Sequence, residues 1–408
     1  MHPITSDLFP GLQELLPVER FRRVDNAIQS LFTKTFHKME DGLPFIITGD
    51  IPAMWLRDST WQVKPLLKSN HEYVADFLAN LSRAQIKLFL IDPYANAFNP
   101  APNNNRWHTD FAEQSPWVFE RKYELDSWAS ILYLARKVRE QFGREDHLDE
   151  NFSAAVHELI KLARREQNHD RESYVFKRNN TFEHDYLSHD GRGAPLGYTG
   201  MVFSAFRPSD DACTYGYHIP SNLFFQNELR LLAEYFPMHG AEKLAQEIAE
   251  GVRNFGVIEG IYAYEVDGLG NRLLIDDANI PSLLSLPYLG VLDASDEIYQ
   301  NTREFVFSSR NPYFYVGEHA SGIGSPHTPE LHVWPIALAV EGITSQNLEQ
   351  QLKILEKLES TDASTGMMHE SFHVDNPRLF TRDWFSWADM MYVDLVLHSV
   401  KYISQHRS

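Results

Sequence analysis

Clusters of acidic, histidine and aromatic residues recur six times along this chain, near residues 50–62, 107–128, 207–222, 276–288, 322–335 and 367–387. Each runs into an apolar stretch, and helical spacing dominates the chain. Val74, Phe77, Leu78 and Leu81 fall at i, i+3, i+4 and i+7, and Trp128, Ile131, Leu132 and Ala135 repeat the pattern. Leu348, Leu352, Leu355 and Leu358 follow it approximately, and Leu223–Phe236 and Trp384–Ile403 read as buried helices. Between successive clusters there is room for about two helices of ordinary length. A ring of helical hairpins satisfies this spacing: an inner helix follows each cluster, an outer helix returns the chain, and all six clusters meet at one mouth.

The expected fold is therefore all-α, an (α/α)6 barrel forming a single catalytic domain over residues 1–408, with minor β-hairpin insertions. Ile261–Val266 and Arg272–Asp276 flank an Asp267-Gly268 turn and predict a hairpin, and Ser173–Lys177 predicts a further short strand. Residues 1–30 read as an entry helix, and the Pro/Asn-rich Asn99–Asn105 as a loop over the mouth. A helical solenoid is the alternative, weakened by the lack of a repeated consensus.

Lys and Arg total 37 against 56 Asp and Glu, a net charge of −19. That balance argues against a nucleic-acid partner, which needs a basic footprint. No long apolar run suggests a membrane span, and residues 1–25 lack the core of a signal peptide. Cys213 is the one cysteine, so an intramolecular disulfide is impossible. The expectation is a cytoplasmic monomer. Aromatic residues make up 13% of the chain, enough for a ring-rich core and for stacking on sugar faces.

The clusters carry the candidate chemistry. In the first, Arg57 and Asp58 offer a donor–acceptor pair suited to vicinal hydroxyls, with Trp55 as a floor; the plain alternative is an ion pair at a helix start. In the second, Glu124 and Asp126 flank Leu125, so both acids face the mouth if Leu125 faces the core; the alternative pairs them with Arg121 and Lys122. In the third, Asp210 and Asp211 are adjacent. Two confined carboxyls cannot easily both ionise, so one keeps its proton, as a general acid must. Arg207, Tyr215 and His218 surround them. In the fourth, Asp277 and Asn279 bind hydroxyls or cap a helix; the calcium-loop pattern is incomplete. In the fifth, His327 sits between prolines on a stiff loop. In the sixth, Glu370 lies beside His369, with Trp384 and Trp387 following. The HExxH zinc pattern is absent, no metal or other cofactor is expected, and no GxSxG elbow is present. Paired acids without a metal point to acid–base hydrolysis of a glycoside.

At these clusters the chain resembles glycoside hydrolase family 125. The matching stretches are TGDIPAMWLRDST (48–60), WVFERKYELDS (117–127), FRPSDDACTYGYHIPSN (206–222), DDANIPSLLSLPYLG (276–290), GIGSPHTP (322–329) with VWPIALA (333–339), and MHESFHVDNP (368–377) with TRDWFSWADMM (381–391). The resemblance implies an (α/α)6 barrel and an exo-acting α-1,6-mannosidase with an inverting, metal-independent mechanism, acting on N-glycan fragments. It implies an aspartate acid within Arg207–Ala212, with Asp210 favoured and Asp211 the alternative, and Glu370 as base. Arg57, Asp58, Glu124, Asp126, Asp277 and His327 would hold the terminal mannose. Trp55, Tyr215, Trp384 and Trp387 would supply ring surfaces. Arg207, His218, Asn279 and His369 complete the expected contacts. A sugar isomerase using His327 and His369, and a mannoside-binding protein without turnover, are the rival readings.

Overall fold

The computed structural model describes residues 2–110, 113–170, 172–178 and 183–406. Among the described residues, eleven helices have eight residues or more: α1 (Val18–Ser30), α2 (Leu56–Val63), α3 (Glu72–Ile91), α4 (Leu125–Phe142), α5 (Glu150–Glu166), α6 (Ile219–Ala233), α7 (Ala241–Gly251), α8 (Glu297–Val306), α9 (Pro335–Ile343), α10 (Leu348–Ser360) and α11 (Ser386–His406). The molecule is mostly helical, and the predicted periodic segments fall inside α3, α4, α6, α10 and α11.

Two kinds of helix differ in what surrounds them. Every residue of α2 is buried, and α9 is buried at all but its Glu341 and Ile343 positions. Helix α9 is apolar nearly all round, as an enclosed element usually is, whereas α2 buries Arg57, Asp58, Ser59, Thr60 and Gln62 among its apolar residues. By contrast α1 buries only Val24 and Ile28, so it shows one stripe to the interior and a polar face to water. Helices α5, α8 and α10 begin on conventional short polar caps. Asp149 accepts from the Phe152 amide, Asp296 from Tyr299, and Asn347 from Glu349 and Gln350. The inner helices begin instead on Trp55, Glu124, His218 and Trp334, which are residues of the clusters. Their first turns are therefore delivered to one region together with cluster side chains.

Helix α2 packs on α4 and α11, α4 on α6, and α9 on α11, while α3, α7 and α10 lie outside them against α4, α6 and α9 respectively. Trp61 of α2 is fully buried at a meeting point of Tyr133 from α4, Phe224 from α6 and Tyr288. The fourth cluster departs from expectation. It leads into turns over residues 284–290 in place of a helix, because both Asp276 oxygens accept the amides of Leu283 and Leu284 and fold the chain back. These turns are knitted to the helices. The Tyr288 hydroxyl donates to Asp394 of α11 at 2.9 Å, and Asn227 of α6 donates to the Gly290 carbonyl at 3.3 Å.

Strand content exceeds the expected hairpin. Six small sheets of two or three strands form among the described residues. Met54–Trp55 pairs with Ala97–Phe98, which pairs with Val118–Glu120, bringing the first two clusters side by side. Glu265–Val266 pairs with Arg272–Leu273 as predicted and also with Tyr217–His218 of the third cluster. Ile261–Tyr262 pairs with Val257–Ile258 instead, since the predicted hairpin is shorter than its apolar run. Ser173–Lys177 forms no strand; the neighbouring Arg178 makes a single bridge to Asp110. Trp387, expected to stack on sugar, is 1% exposed and belongs to the core.

The first and last clusters are joined directly. The Ser386 amide donates to the Thr48 carbonyl at 3.0 Å and the Asp50 amide to the Trp384 carbonyl at 3.3 Å. Gly49 makes this possible: its φ is +130°, and a Cβ there would lie 2.5 Å from the Trp384 oxygen.

A buried pair locks α4 to α6. Arg136 Nε and Nη2 each donate to one Glu228 oxygen at 2.7 Å, with the side chains 3% and 0% exposed. Removing one partner strands a charge, whereas removing both does not. Arg136→Met is expected to lower the unfolding free energy by about 3–5 kcal/mol, with Arg136→Met/Glu228→Leu recovering most of it. Urea denaturation checks this; a double variant as unstable as the single one contradicts it.

Candidate active site

Arg57 is the centre of the site. It sits in the first turn of α2, 3% exposed, surrounded by four carboxyl groups. Nη1 donates to Glu124 at 2.5 Å and to Asp126 at 3.2 Å, Nη2 donates to Asp210 at 3.1 Å, and Nε lies 3.5 Å from Asp58. The planar guanidinium is suited to this because it spreads one charge over several donors in a fixed fork. Asn96, unremarked in the sequence, adds a second bridge. Its Nδ2 donates to Glu124 at 3.1 Å and reaches Asp210 at 3.4 Å.

One cation cannot balance four buried anions, so protons remain on the cluster. Burial pushes Asp58 and Asp126 up to about 6 against the pull of Arg57. Burial drives Glu124 furthest up, with Asp210 and Asp126 adding repulsion. For Asp210 burial acts upward too, but Arg57 and a hydrogen bond with Glu124 outweigh it and hold that carboxyl below the ordinary range. Glu124 and Asp210 thus titrate as a coupled pair, the one pushed up and the other held down. The expected mutual confinement of Asp210 and Asp211 is not what the structure shows. The two adjacent side chains diverge: Asp210 goes to Arg57, and Asp211 accepts from His327 Nδ1 at 2.9 Å.

The loop that carries them is a tight return. Arg207 N–H donates to the Asp211 carbonyl at 2.8 Å, Asp210 N–H donates to the Arg207 carbonyl at 2.9 Å, and Phe206 bridges Ala212. Asp210 stands at its apex with φ +65°, a left-handed conformation that a short polar residue tolerates better than most. Lys122, also unremarked in the sequence as a site residue, fixes this apex by donating to the Asp210 carbonyl at 2.7 Å and to Asp185 at 2.8 Å. The alternative reading of Lys122 and Arg121 as partners of Glu124 and Asp126 does not hold: Arg121 donates to Asp92.

Glu370 is 11% exposed at its side chain, with Arg382 Nη1 at 3.8 Å. Arg382 was not anticipated. It is anchored on Thr48 and Asp50, so the first cluster holds the base side of the sixth. These groups share one field. His327 is pushed up to about 9: burial acts downward, but the Asp211 hydrogen bond and charge prevail, with Glu370 and Asp210 adding to them. Asp58 likewise feels Arg57, Asp210 and Arg382 together. Side-chain exposures of 25% for Asp210 and 37% for His327, against 5% for Asp211, show which groups open to the recess.

The remaining expected contacts divide. Trp55 Nε1, Trp384 Nε1 and one oxygen each of Asp126 and Asp211 are buried without a hydrogen-bond partner among the described residues, as groups awaiting ligand hydroxyls would be. Asp277 accepts from Ser209 at 2.9 Å and lies within reach of Asp211; its carboxyl is raised, mainly by burial. Asn279, 3% exposed, places its amide 3.5 Å from Asp277. Tyr215 is half-buried, and its N–H donates to Glu265.

Three expected substrate contacts have structural roles instead. Arg207 spends its guanidinium on Glu265 at 2.5 Å and Thr214 at 3.2 Å, bracing the acid loop. His218 is fully buried as the cap of α6, with Nδ1 accepting from the Ser221 amide and its ring edge-on to Tyr264. His369 has both ring nitrogens engaged, at the Arg382 carbonyl and the Thr365 hydroxyl, and stacks on Phe380 at 3.6 Å.

Among the described residues no group of three or more His, Cys, Asp and Glu is arranged to hold a metal ion, and no helix is long and apolar enough to cross a membrane. Buried carboxyls gathered at helix starts are an arrangement a glycosidase can use, and the comparisons give the class and the family. A family model described as metal-independent alpha-mannosidase (GH125) matches residues 19–397. The chain belongs to glycoside hydrolase family 125. The meiotically up-regulated gene 157 protein of Schizosaccharomyces pombe is 36% identical over 385 residues, covering 86% of this chain and 76% of that protein. A Streptococcus pneumoniae metal-independent alpha mannosidase, solved as a non-productive substrate complex with alpha-1,6-mannobiose, is 41% identical with a TM-score of 0.92, covering 97% of this chain and 99% of that one. A bacterial glucoamylase complexed with acarbose shares the fold alone, at 12% identity and a TM-score of 0.55 over 86% of this chain and 49% of that one.

The raised Asp58 and Asp126 carboxyls have a consequence for stability. In the unfolded chain they ionise near 4, in the folded chain at about 6. Between those values the folded state binds more protons, so their contribution to stability falls as pH rises through that window and is level above it. Asp58→Asn and Asp126→Asn are each expected to make the unfolding free energy less dependent on pH between about 4 and 6. Urea titrations at stepped pH measure this, and an unchanged slope in both variants contradicts it.

Proposed function

We propose that this chain is an exo-acting α-1,6-mannosidase that inverts configuration, on a single (α/α)6 domain. The inner ring is read as α2, α4, α6, the turns of 284–290, α9 and α11, and the outer ring as α1, α3, α5, α7, α8 and α10. The observation that carries the activity is that Asp210, held by Arg57, and Glu370, beside Arg382, both lie within electrostatic reach of His327. The α-1,6-mannobiose bound by the Streptococcus pneumoniae relative supports the linkage.

In this reading the terminal mannose lies over Trp55, with its hydroxyls on Asp58, Asp126, Asp211, Asp277 and His327. The Glu124–Asp210 pair acts as one acid with one proton. Glu124 passes its proton to Asp210, which delivers that same proton to O6 of the next mannose. The C1–O6 bond breaks with its electron pair on that oxygen. A water on the opposite face attacks C1 while Glu370 removes a proton from it, giving β-mannose from an α-linked substrate. Asp210 is preferred to Asp211 because it opens to the recess and shares the proton. Asp211, ion-paired to a protonated His327, is suited to accepting a hydroxyl. The isomerase rival fails on His369, whose nitrogens are both engaged.

Three variants test the assignment. Glu370→Gln is expected to lower kcat on α-1,6-mannobiose by ~10²–10⁴ while the affinity for it stays close to that of the parent. Asp210→Asn keeps a side chain that tolerates the left-handed apex, and should lose far more activity on mannobiose than on an aryl mannoside with a good leaving group. If Asp211→Asn shows that leaving-group dependence and Asp210→Asn does not, the acid is Asp211.

A further inference from the structure

Trp107 is anomalous. Large aromatic rings are normally covered, yet this one is 65% exposed on a loop. The loop is not slack. Asn99 Nδ2 donates to the Asn105 and Pro116 carbonyls at 3.0 and 3.2 Å, and the Asn104 amide donates to the Pro116 carbonyl at 3.1 Å. Arg106 donates to Gln114 at 3.0 Å and to the Asn104 side chain at 2.9 Å. An exposed indole held on a braced loop is a surface with a fixed orientation, which lowers the ordering cost of binding.

Its position relative to the site is set by two ring contacts. Trp107 meets Phe119 edge-on at 5.9 Å, and Phe119 meets Trp55 edge-on at 5.7 Å. Phe119 and Trp55 are each 6% exposed, so the ladder starts inside the recess and surfaces only at Trp107. The direction of this exit is given independently by the next residue. His108 lies within electrostatic reach of Asp185, which accepts from Lys122, whose amine also holds the Asp210 carbonyl. Residues 107 and 108 therefore stand on the acid side of the recess. In a hydrolase that is the side from which the leaving group departs.

We propose that Trp107 is a stacking platform for mannose residues on the leaving-group side of the scissile bond, selecting oligosaccharide over short aglycones. The proposal rests on the reading of Asp210 as acid and deepens it. The apolar C–H face of a pyranose lies on the indole, while the surrounding Asn and Arg side chains meet its hydroxyls. No residue already placed in the chemistry is involved, and the ring's exposure means that its removal leaves the core intact.

The test compares Trp107→Ala and Trp107→Phe with the parent on α-1,6-mannotriose and on α-mannosyl fluoride, whose leaving group carries no sugar. Trp107→Ala is expected to raise KM for mannotriose about three- to tenfold with kcat little changed, while kcat/KM on the fluoride stays within about twofold. Trp107→Phe should recover most of the loss. An unchanged KM for mannotriose, or an equal loss on the fluoride, overturns the platform. A parent protein that cleaves neither substrate overturns the mannosidase reading itself, a distinct outcome.

Discussion

A single guanidinium placed among four carboxyl groups is the constraint from which the rest of this site follows. Arg57 cannot neutralise Asp58, Glu124, Asp126 and Asp210 together, and all but Asp210 are nearly closed to water. Protons therefore stay on the cluster at pH values where free carboxylic acids have lost them. A glycosidase acid needs that property, and here it arises from crowding around one cation. The donor that opens to the recess, Asp210, need not be the group that stores the proton. In the proposed mechanism the fully buried Glu124 stores it and Asp210 presents it.

The fold supplies this crowding through its helix starts. Arg57 and Asp58 occupy the first turn of α2, and Glu124 and Asp126 the cap and first turn of α4. The N-terminal end of a helix favours negative charge, which offsets part of the cost of burying the acids there. The Glu370 side is built separately. The loop before α11 is fastened to Thr48–Asp50 by backbone bonds, by Arg382 and by the close approach that Gly49 permits. The chain's first and last clusters are thus held against each other.

Much of this was legible in the sequence. The long helices announce themselves by period, and Asp210, Glu370, Arg57, Glu124, Asp126 and His327 were all singled out by the company they keep. What escaped has identifiable causes. Strands of two or three residues are too short to show alternation, so most of the small sheets left no pattern. Asn96, Lys122, Glu265 and Arg382 act through partners distant in sequence, and an isolated Asn or Lys carries no sign of such a partner. His218, His369 and Arg207 were misread as ligand contacts because a polar residue inside a functional cluster looks the same whether it serves the ligand or braces the loop. Trp387 follows the same logic for rings. The fourth cluster failed as a helix start because Asp276 caps its own downstream turn with both oxygens, a local event that apolar periodicity does not register.

The central claim is that the catalytic proton belongs to the Glu124–Asp210 pair and is kept there by crowding. The pH dependence of kcat/KM in the parent and in Glu124→Gln tests it most directly. Replacing Glu124 removes the like-charge neighbour and leaves Asp210 with Arg57 and an amide, both of which favour its ionised form. The account predicts that the basic limb of the profile moves to lower pH by at least about one unit while the acidic limb, set by Glu370, stays in place. A basic limb at the same pH in both proteins would contradict it.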